Sequence, residues 1–192
     1  MNKIIAITIG DIDGIGIEIL INSLKNGEIN NFILFTNIKV LKNYLKKRKL
    51  KIKLYKINNN NLQKLDFSIN KINIFSYNVK SLEDNTYKSL EYAYKFCVNK
   101  VCIGMITLPL RKDKIINKID NNFVGHTEYF QNKDNKHNVN MILYHKKIII
   151  SPLTTHLQLK KIPKQILNKK FLKNQILNLN NTLKTDFNII AP

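Results

Sequence analysis

The stretch IIAITIGDIDGIGIEIL, from Ile4 to Leu20, decides the fold class of this chain. Its first part is a run rich in β-branched residues that ends at Gly10, which is typical of a buried strand. A glycine-rich turn follows, and apolar residues then recur at helical spacing until Gly27. A strand followed at once by a helix is the repeating unit of α/β proteins, so this stretch predicts an α/β fold.

The alternation of strands and helices continues along the chain. Apolar runs predict four further strands, and amphipathic patterns predict two further helices. NVNMILYH and KKIIISPL predict the two strands of a hairpin that turns near residues 145–147. The other strands are NFILFT (31–36), LKIKLYKI (50–57), INIFSY (72–77) and a buried strand VCIGMITLPL (101–110); the helices are 38–49 and 85–100. This order predicts a largely parallel sheet with flanking helices.

The chain is strongly basic, but almost all of its positive charge comes from lysine. There are 32 Lys and Arg residues against 13 Asp and Glu residues, a formal net charge of +19, and Arg48 and Arg111 are the only arginines. Proteins that read nucleic acids usually rely on arginine for paired contacts to bases and phosphates. Lys, Asn and Ile all have A+T-rich codons, so compositional drift explains the charge, and we expect no nucleic-acid partner.

Hydropathy and cysteine spacing predict a protein of the cytoplasm without a membrane partner. No apolar run approaches the roughly 20 residues of a membrane-spanning helix, and the first residues read as a strand rather than a signal peptide. The spacing of Cys97 and Cys102 suits neither a zinc knuckle nor a redox pair. Both cysteines are therefore predicted to be buried free thiols in a reducing compartment.

Polar segments follow several of the predicted strands, where parallel sheets bind their ligands. The first is GDIDGIGIE (10–18), which matches neither the dinucleotide-binding fingerprint nor a P-loop. It predicts a tight turn with Asp11 as a cap, or a turn in which Asp11 and Asp13 bind a cation or hold a lysine. The second is TLPLRKDK (107–114), in which Lys112 either binds phosphate, carries a proton, or lies in an ordinary surface turn.

FVGHTEYF (123–130) is the most specific of these segments. Gly125 bends the chain, Thr127 is placed to N-cap a short helix, and Glu128 falls in the first turn of that helix. A helix N-terminus beside a hydroxyl and the imidazole of His126 predicts a site for phosphate or carboxylate. The alternative interpretation is a capping turn with an exposed histidine.

The last segment, SPLTTHLQL (151–159), places His156 just after a predicted strand. The chain has only four histidines, and His137 and His145 lie in polar surroundings typical of the surface. Because a catalytic metal usually has three protein ligands, these residues do not compose a complete three-histidine site. From its position alone, His156 is either a structural residue or one ligand of a metal.

Taken in order, the four segments resemble one family, the 4-hydroxythreonine-4-phosphate dehydrogenases of pyridoxal phosphate biosynthesis. GDIDGIGIE is similar to the family's GDPAGIGPE, TLPLRKD to TAPINKE, FVGHTE to FPGHTE, and LTTHLQL to VTTHIPL. The chain has Ile12, Asp13 and Ile17 where the family pattern has Pro, Ala and Pro. The resemblance runs over essentially the whole chain.

The resemblance implies a fold like that of isocitrate and isopropylmalate dehydrogenases, with two α/β domains, a site in the cleft between them, and a homodimer. It implies NAD-dependent oxidation and decarboxylation of 4-phosphooxy-L-threonine to 3-amino-2-oxopropyl phosphate. It also implies a divalent cation (zinc, magnesium or cobalt) that acts as a Lewis acid.

By the same resemblance, His126 and Thr127 bind the substrate and His156 is the first of three metal-binding histidines. Lys112 matches a lysine of the family pattern whose role stays open, and no catalytic residue is assigned. The family's other two metal histidines lie in segments of the types LNPHAGE and MYHDQ, which would follow Pro192. We therefore expect residues 1–192 to be the N-terminal portion of a two-domain enzyme, with an incomplete first domain and a second domain that begins within roughly 100–192.

Two other functions stay open at this point. One is a sister dehydrogenase of the same build that acts on threonate or erythronate 4-phosphate. The other is an inactive truncated remnant, or a basic binding protein without turnover. Two features argue against the binding protein. Arginine is sparse, and basic and aromatic residues are not interleaved as on a single-strand-binding surface.

Overall fold

Strands and helices alternate in the computed structural model, which describes residues 3–57, 65–68, 70–135, 139–146, 148–155 and 157–190. Contacts divide the chain into two compact units, Met1–Glu128 and Tyr129–Pro192. The division falls within the helix His126–Lys133, and the relation of these units to the two domains of a complete enzyme stays a prediction.

The strands are β1 Ile5–Thr8, β2 Phe32–Phe35, β3 Lys53–Ile57, β4 Lys71–Phe75, β5 Gly104–Thr107, β6 Leu143–His145 and β7 Ile148–Ile150. The helices are α1 Gly16–Lys25, α2 Ile38–Lys47, α3 Leu82–Val98, α4 Lys112–Lys118, α5 His126–Lys133, α6 Ile162–Ile166 and α7 Lys169–Asp186.

The first unit contains a parallel sheet, as the sequence predicts, and the order of its strands is β3-β4-β2-β1-β5. All four residues of β2 are buried, because helices cover both faces of the sheet at this strand. Ile7 and Leu34 pack with residues of α1 and α2 on one face. Ala6 and Phe35 pack with residues of α3 on the other face. These alternating faces give the unit three layers, helix on sheet on helix.

The predicted buried strand at 101–110 is shorter and more exposed than expected. Strand β5 covers only Gly104–Thr107, and the side chain of Ile106 is 43% exposed. In the described residues β5 pairs with β1 alone, so it lies at the edge of the sheet. The prediction of burial was wrong because an apolar run does not distinguish an edge strand from a central one.

The helix predicted from Asn85 begins earlier, at Leu82. The hydroxyl of Ser81 accepts a hydrogen bond from the backbone N–H of Asp84 at 3.1 Å, which caps the helix. This cap satisfies one of the backbone donors that a helix start leaves free, so the chain turns into α3 three residues before the predicted position.

Strand β1 is followed by α1, which packs on one face of the sheet, whereas β5 is followed by α4, which contacts α3 of the other face. Such a reversal opens a crevice at the carboxyl ends of the strands, where α/β proteins bind ligands. The residues that follow β1 and β5 meet there, since the N–H of Asp11 donates to the carbonyl oxygen of Pro109 at 2.9 Å. This contact positions two of the segments that the sequence singles out.

The second unit contains the predicted hairpin, in which β6 and β7 pair antiparallel. A 3₁₀ turn at Leu159–Lys161, α6 and α7 follow. Leu183 of α7 is buried, but many other apolar side chains of this unit are exposed, among them Leu143, Ile148 and Ile150. In the described part of the chain, no helix has both the length and the apolar surface to cross a lipid bilayer.

Candidate functional site

The turn after β1 is tight, as predicted, and is stabilised by Asp11. The N–H of Asp13 donates to Oδ1 of Asp11 at 3.2 Å, and the N–H of Gly14 donates to the Asp11 carbonyl oxygen at 2.9 Å. Asp11 does not cap α1, because the N-cap position is Ile15 and has no side-chain cap bond. The predicted cap is therefore wrong, and the carboxylate of Asp11 closes a local turn instead.

Of the two further roles predicted for Asp11, the structure shows a carboxylate that holds a lysine. Nζ of Lys114 lies 3.1 Å and 3.4 Å from the two carboxylate oxygens of Asp11. The side chain of Asp11 is only 12% exposed and that of Lys114 30%, so this pair is better shielded from water than a surface ion pair. The contact joins the turn after β1 to α4, the helix that follows β5.

Helix α4 begins at Lys112, the lysine that the sequence singles out. Lys112 is exposed, whereas Ile115, one turn later, is buried. A second ion pair holds the far end of the helix, where Nζ of Lys118 lies 2.7 Å from Oε1 of Glu83 on α3. The Lys118 ammonium lowers the pKa of the Glu83 carboxyl to about 2. Both ends of α4 are thus tied to neighbouring segments, and Lys112 lies at the start of the helix.

His126 is the first residue of α5. Thr127, predicted as the N-cap of a helix that starts after it, lies inside the helix, and its side chain is exposed. The prediction of the cap was wrong because the helix begins at His126, two residues before the start that a Thr127 cap implies. Glu128 falls in the first turn as predicted, where a carboxylate interacts favourably with the helix dipole.

The imidazole of His126 lies in a half-buried position. Its Nε2 is buried and makes no hydrogen bond to any described residue. Burial lowers the pKa of His126, the nearby charge of Lys112 lowers it further, and Glu128 raises it. The ring is therefore neutral at pH 7, because each of the two larger effects disfavours the imidazolium form.

Gly125, just before the helix, is where Lys112 and Glu128 approach each other. A methyl group added at Gly125 would lie 3.0 Å from Oε2 of Glu128 and 3.1 Å from Nζ of Lys112. Gly125 is itself buried, although a positive φ is not what requires a glycine here. Because Gly125 has no side chain, the Lys112 ammonium and the Glu128 carboxylate can both lie close to its Cα.

Helix α3 anchors the connection that leads to this turn, a role that sequence reasoning missed. The hydroxyl of Tyr87 donates to Oδ2 of Asp120 at 3.1 Å, and burial beside this carboxylate raises the pKa of Tyr87 to about 12. The ring of Tyr87 also contacts Phe123, with ring centroids 6.3 Å apart. These residues carry no recognisable signal, because they are far apart in sequence and meet only through the packing of α3.

The residue predicted to bind metal, His156, lies outside the described residues. Among the residues that are described, no three His, Cys, Asp or Glu side chains come together in a way that could hold a metal ion. Cys97 and Cys102 are free thiols, half-buried and buried respectively. Burial raises the pKa of both, and that of Cys102 to about 12, so neither is a reactive thiolate.

The fold and these residues define a class of protein. It is an α/β protein in which polar segments meet at the carboxyl edge of a parallel sheet, and the segments after β5 carry a lysine and a neutral histidine. A lysine ammonium, the free N–H groups at the start of α5 and the exposed hydroxyl of Thr127 can together bind an anion such as phosphate or carboxylate.

Comparison with known proteins identifies the family. Residues 28–192 match the family model described as pyridoxal phosphate biosynthetic protein PdxA. A 4-hydroxythreonine-4-phosphate dehydrogenase from Sulfurihydrogenibium sp. (strain YO3AOP1) is 30% identical over 196 residues, which cover 98% of this chain and 60% of that protein. The protein of the same name from Enterobacter sp. (strain 638) is 35% identical over 96 residues, or 50% of this chain and 29% of its own length. The chain belongs to the PdxA family.

Solved structures agree with the fold. The 4-hydroxythreonine-4-phosphate dehydrogenase of Klebsiella pneumoniae matches 96% of this chain and 59% of its own with a TM-score of 0.85 and 23% identity. The protein of that name from Burkholderia phymatum matches 95% of this chain and 58% of its own with a TM-score of 0.78 and 19% identity. The chain therefore spans about three fifths of the length of these proteins.

Proposed function

We propose that this chain is the N-terminal portion of a 4-hydroxythreonine-4-phosphate dehydrogenase. The complete enzyme oxidises 4-phosphooxy-L-threonine with NAD and releases CO₂ to give 3-amino-2-oxopropyl phosphate in pyridoxal phosphate biosynthesis. The observation that carries this proposal is the family match over residues 28–192, together with a relative of that name aligned to 98% of the chain.

Within this proposal, His126 and Thr127 bind an anionic group of the substrate. The neutral imidazole of His126 keeps a buried Nε2 available for a hydrogen bond, since no described residue uses it. The exposed hydroxyl of Thr127 lies at the next position of α5, where the first N–H groups of the helix are unpaired within the helix. A bound phosphate or carboxylate would satisfy these donors.

Metal and NAD binding belong to the complete enzyme. When bound, a divalent cation such as zinc, magnesium or cobalt would supply Lewis acidity and NAD would supply the hydride acceptor. The described residues do not by themselves offer the three side chains that a catalytic metal needs. His156 is proposed as one of the ligands, with the remaining ligands and the NAD site outside this sequence.

We also propose that the complete enzyme is a homodimer of the cytoplasm. The hairpin of β6 and β7 supports the dimer, because an isolated two-stranded hairpin is marginally stable in water. Leu143, Ile148 and Ile150 lie on one face of it and are 50–60% exposed. Covering this face with a second copy would remove it from water. The free thiols of Cys97 and Cys102 agree with a reducing compartment.

A second candidate that the sequence leaves open is an inactive remnant without turnover. The two candidates differ in one measurable property, which is NAD reduction that depends on a divalent metal.

The test is an assay of the complete enzyme, of which we propose that this chain is the N-terminal portion, with 4-phosphooxy-L-threonine, NAD and Mg²⁺, Zn²⁺ or Co²⁺. We expect metal-dependent formation of NADH that His156→Ala abolishes. His137→Ala is the matched control, because it removes a histidine that the sequence places in polar surroundings typical of the surface, and it should leave the rate unchanged. Full activity of His156→Ala would contradict the metal assignment. No NADH under any condition would support the inactive remnant, and turnover only of threonate or erythronate 4-phosphate would support the sister enzyme.

A further inference from the structure

The segment 111–118 carries four cations, and only one of them is left without an acidic partner among the described residues. Arg111 pairs with Asp113, Lys114 with Asp11, and Lys118 with Glu83. The ammonium of Lys112 makes neither a hydrogen bond nor an ion pair in the described part of the chain. Its charge is therefore available to a ligand, whereas the other three charges are already compensated.

Lys112 is also held at the turn that contains His126. Its Nζ lies 3.1 Å, and its Cε 3.4 Å, from the position that a Cβ of Gly125 would occupy. The lysine side chain thus packs over the one residue of the turn that has no side chain. Because the ion pair between Lys114 and Asp11 fixes the first turn of α4, the direction in which Lys112 leaves the helix is set by the fold.

The neighbours of Lys112 offer hydrogen bonds but no positive charge. His126 is neutral at pH 7, in part because of the Lys112 charge itself. Thr127 supplies a hydroxyl, and Glu128 carries the opposite charge. An anionic ligand at this turn consequently depends on Lys112 for charge compensation, since backbone N–H groups contribute only partial charges.

We propose that Lys112, seated over Gly125, is the cation that binds an anionic oxygen of the substrate beside His126. The inference rests on the proposed function, because it adds a binding residue to the same site. Phosphate and carboxylate oxygens share the chemistry that this site recognises, and the experiment separates them by using inorganic phosphate and acetate as probes.

The experiment is a titration of the full 192-residue chain, labelled with ¹⁵N-histidine, with each probe while the His126 resonances are followed by NMR. The wild-type protein should show a saturable shift with one or both probes. Lys112→Gln should weaken that binding about tenfold, because a charge-assisted hydrogen bond is lost at a partly exposed site. Lys112→Arg keeps the charge and should restore most of the affinity.

Two further variants separate position from charge. Gly125→Ala places a methyl group 3.1 Å from Nζ of Lys112 without backbone strain, so it should displace the ammonium and weaken binding less than Lys112→Gln does. Lys118→Gln makes the same change of charge on the same helix, away from the turn, and should bind like the wild type. Lys112→Gln should also raise the pKa of His126, while Lys118→Gln should not.

Three results would overturn the proposal: no probe-dependent shift in the wild type, an unchanged affinity in Lys112→Gln, or equal losses in Lys112→Gln and Lys118→Gln. Unchanged ¹H–¹⁵N spectra away from the turn establish that each variant is folded. The titration needs neither NAD, metal nor turnover. A failed dehydrogenase assay therefore leaves Lys112 as a binding residue, and a failed titration leaves the dehydrogenase assay to decide the proposed function.

Discussion

Gly10 occupies a position that no side chain can share. Its φ is +63°, and an added Cβ would lie 2.4 Å from the carbonyl oxygen of Pro109. The hydroxyl of Thr86 also donates to the Gly10 carbonyl oxygen at 2.6 Å, which joins α3 to the same point. This glycine therefore lets the segments after β1 and β5 touch, and the candidate site depends on that contact.

We expect Gly10→Ala to lower the free energy of unfolding by about 3 kcal/mol, because left-handed strain adds to a backbone clash. Gly27→Ala is the control, since Gly27 has a φ of +72° but no atom within 4 Å of an added Cβ. That variant should lose about 1 kcal/mol. Urea denaturation of both proteins measures the difference, and equal losses would show that the contact with Pro109 is unimportant.

His126 gives the protein a dependence on pH that can be measured. Burial and the charge of Lys112 lower its pKa below the usual 6.5, so as the pH falls the unfolded chain takes up this proton first. The stability that neutral His126 contributes is full above about pH 6.5 and is lost as the pH falls toward the lowered pKa. We expect His126→Gln to flatten the fall in unfolding free energy between about pH 7 and about pH 5. Parallel curves for the two proteins would contradict this.

Helices α2 and α3 both begin at capping residues, but the side chains of these residues bond to different parts of the fold. Oδ1 of Asn37 accepts hydrogen bonds from the N–H groups of Lys39 and Val40 at 2.9 Å and 3.3 Å. Its Nδ2 also donates to the carbonyl oxygen of Tyr77 at 2.6 Å, beyond the end of β4. Ser81 caps α3, and its hydroxyl also hydrogen-bonds to the carboxylate of Glu83 in the first turn of the same helix. Asn37 thus joins two elements, whereas Ser81 starts one.

Asn37→Ala should therefore lower the free energy of unfolding more than Ser81→Ala does. We expect a loss of about 2 kcal/mol for Asn37→Ala, because the Tyr77 carbonyl loses its donor as well, and a loss of about 1 kcal/mol for Ser81→Ala. Thermal or urea unfolding of the two variants under the same conditions provides the comparison. If Ser81→Ala lowers the free energy of unfolding as much as Asn37→Ala does, the hydrogen bond from Asn37 to Tyr77 contributes little to stability.

For the whole molecule, the exposed face of the hairpin leads to a prediction about assembly. Ile148→Lys would place a charge on the apolar face that we propose a second copy covers, and should shift the protein from dimer to monomer. Leu167→Lys, at a side chain 79% exposed elsewhere in the second unit, is the control and should leave the dimer intact. Sedimentation velocity distinguishes the two. A dimer that persists in Ile148→Lys would exclude this face as the interface.

Sequence patterns located most elements of the first unit but not their exact limits or exposure. The run that became β2 was assigned correctly, because four consecutive buried residues leave a continuous apolar signal. The run 101–110 predicts a buried strand, and this is wrong for β5, because β5 lies at the edge of the sheet and the apolar pattern does not reveal strand order. Thr127 was assigned as a cap because its residue type favours that position, whereas the helix starts at His126.

The sequence by itself determined the fold class, the parallel sheet, the hairpin and the turn that contains His126, because each is encoded by residues that are neighbours in the chain. Only the tertiary structure decided which residue each lysine contacts. Lys114 reaches Asp11, and Lys112 lies over Gly125, because β1 pairs with β5 in parallel and brings segments about a hundred residues apart to one edge of the sheet. Contacts of this kind depend on strand order, which no local pattern of residues specifies.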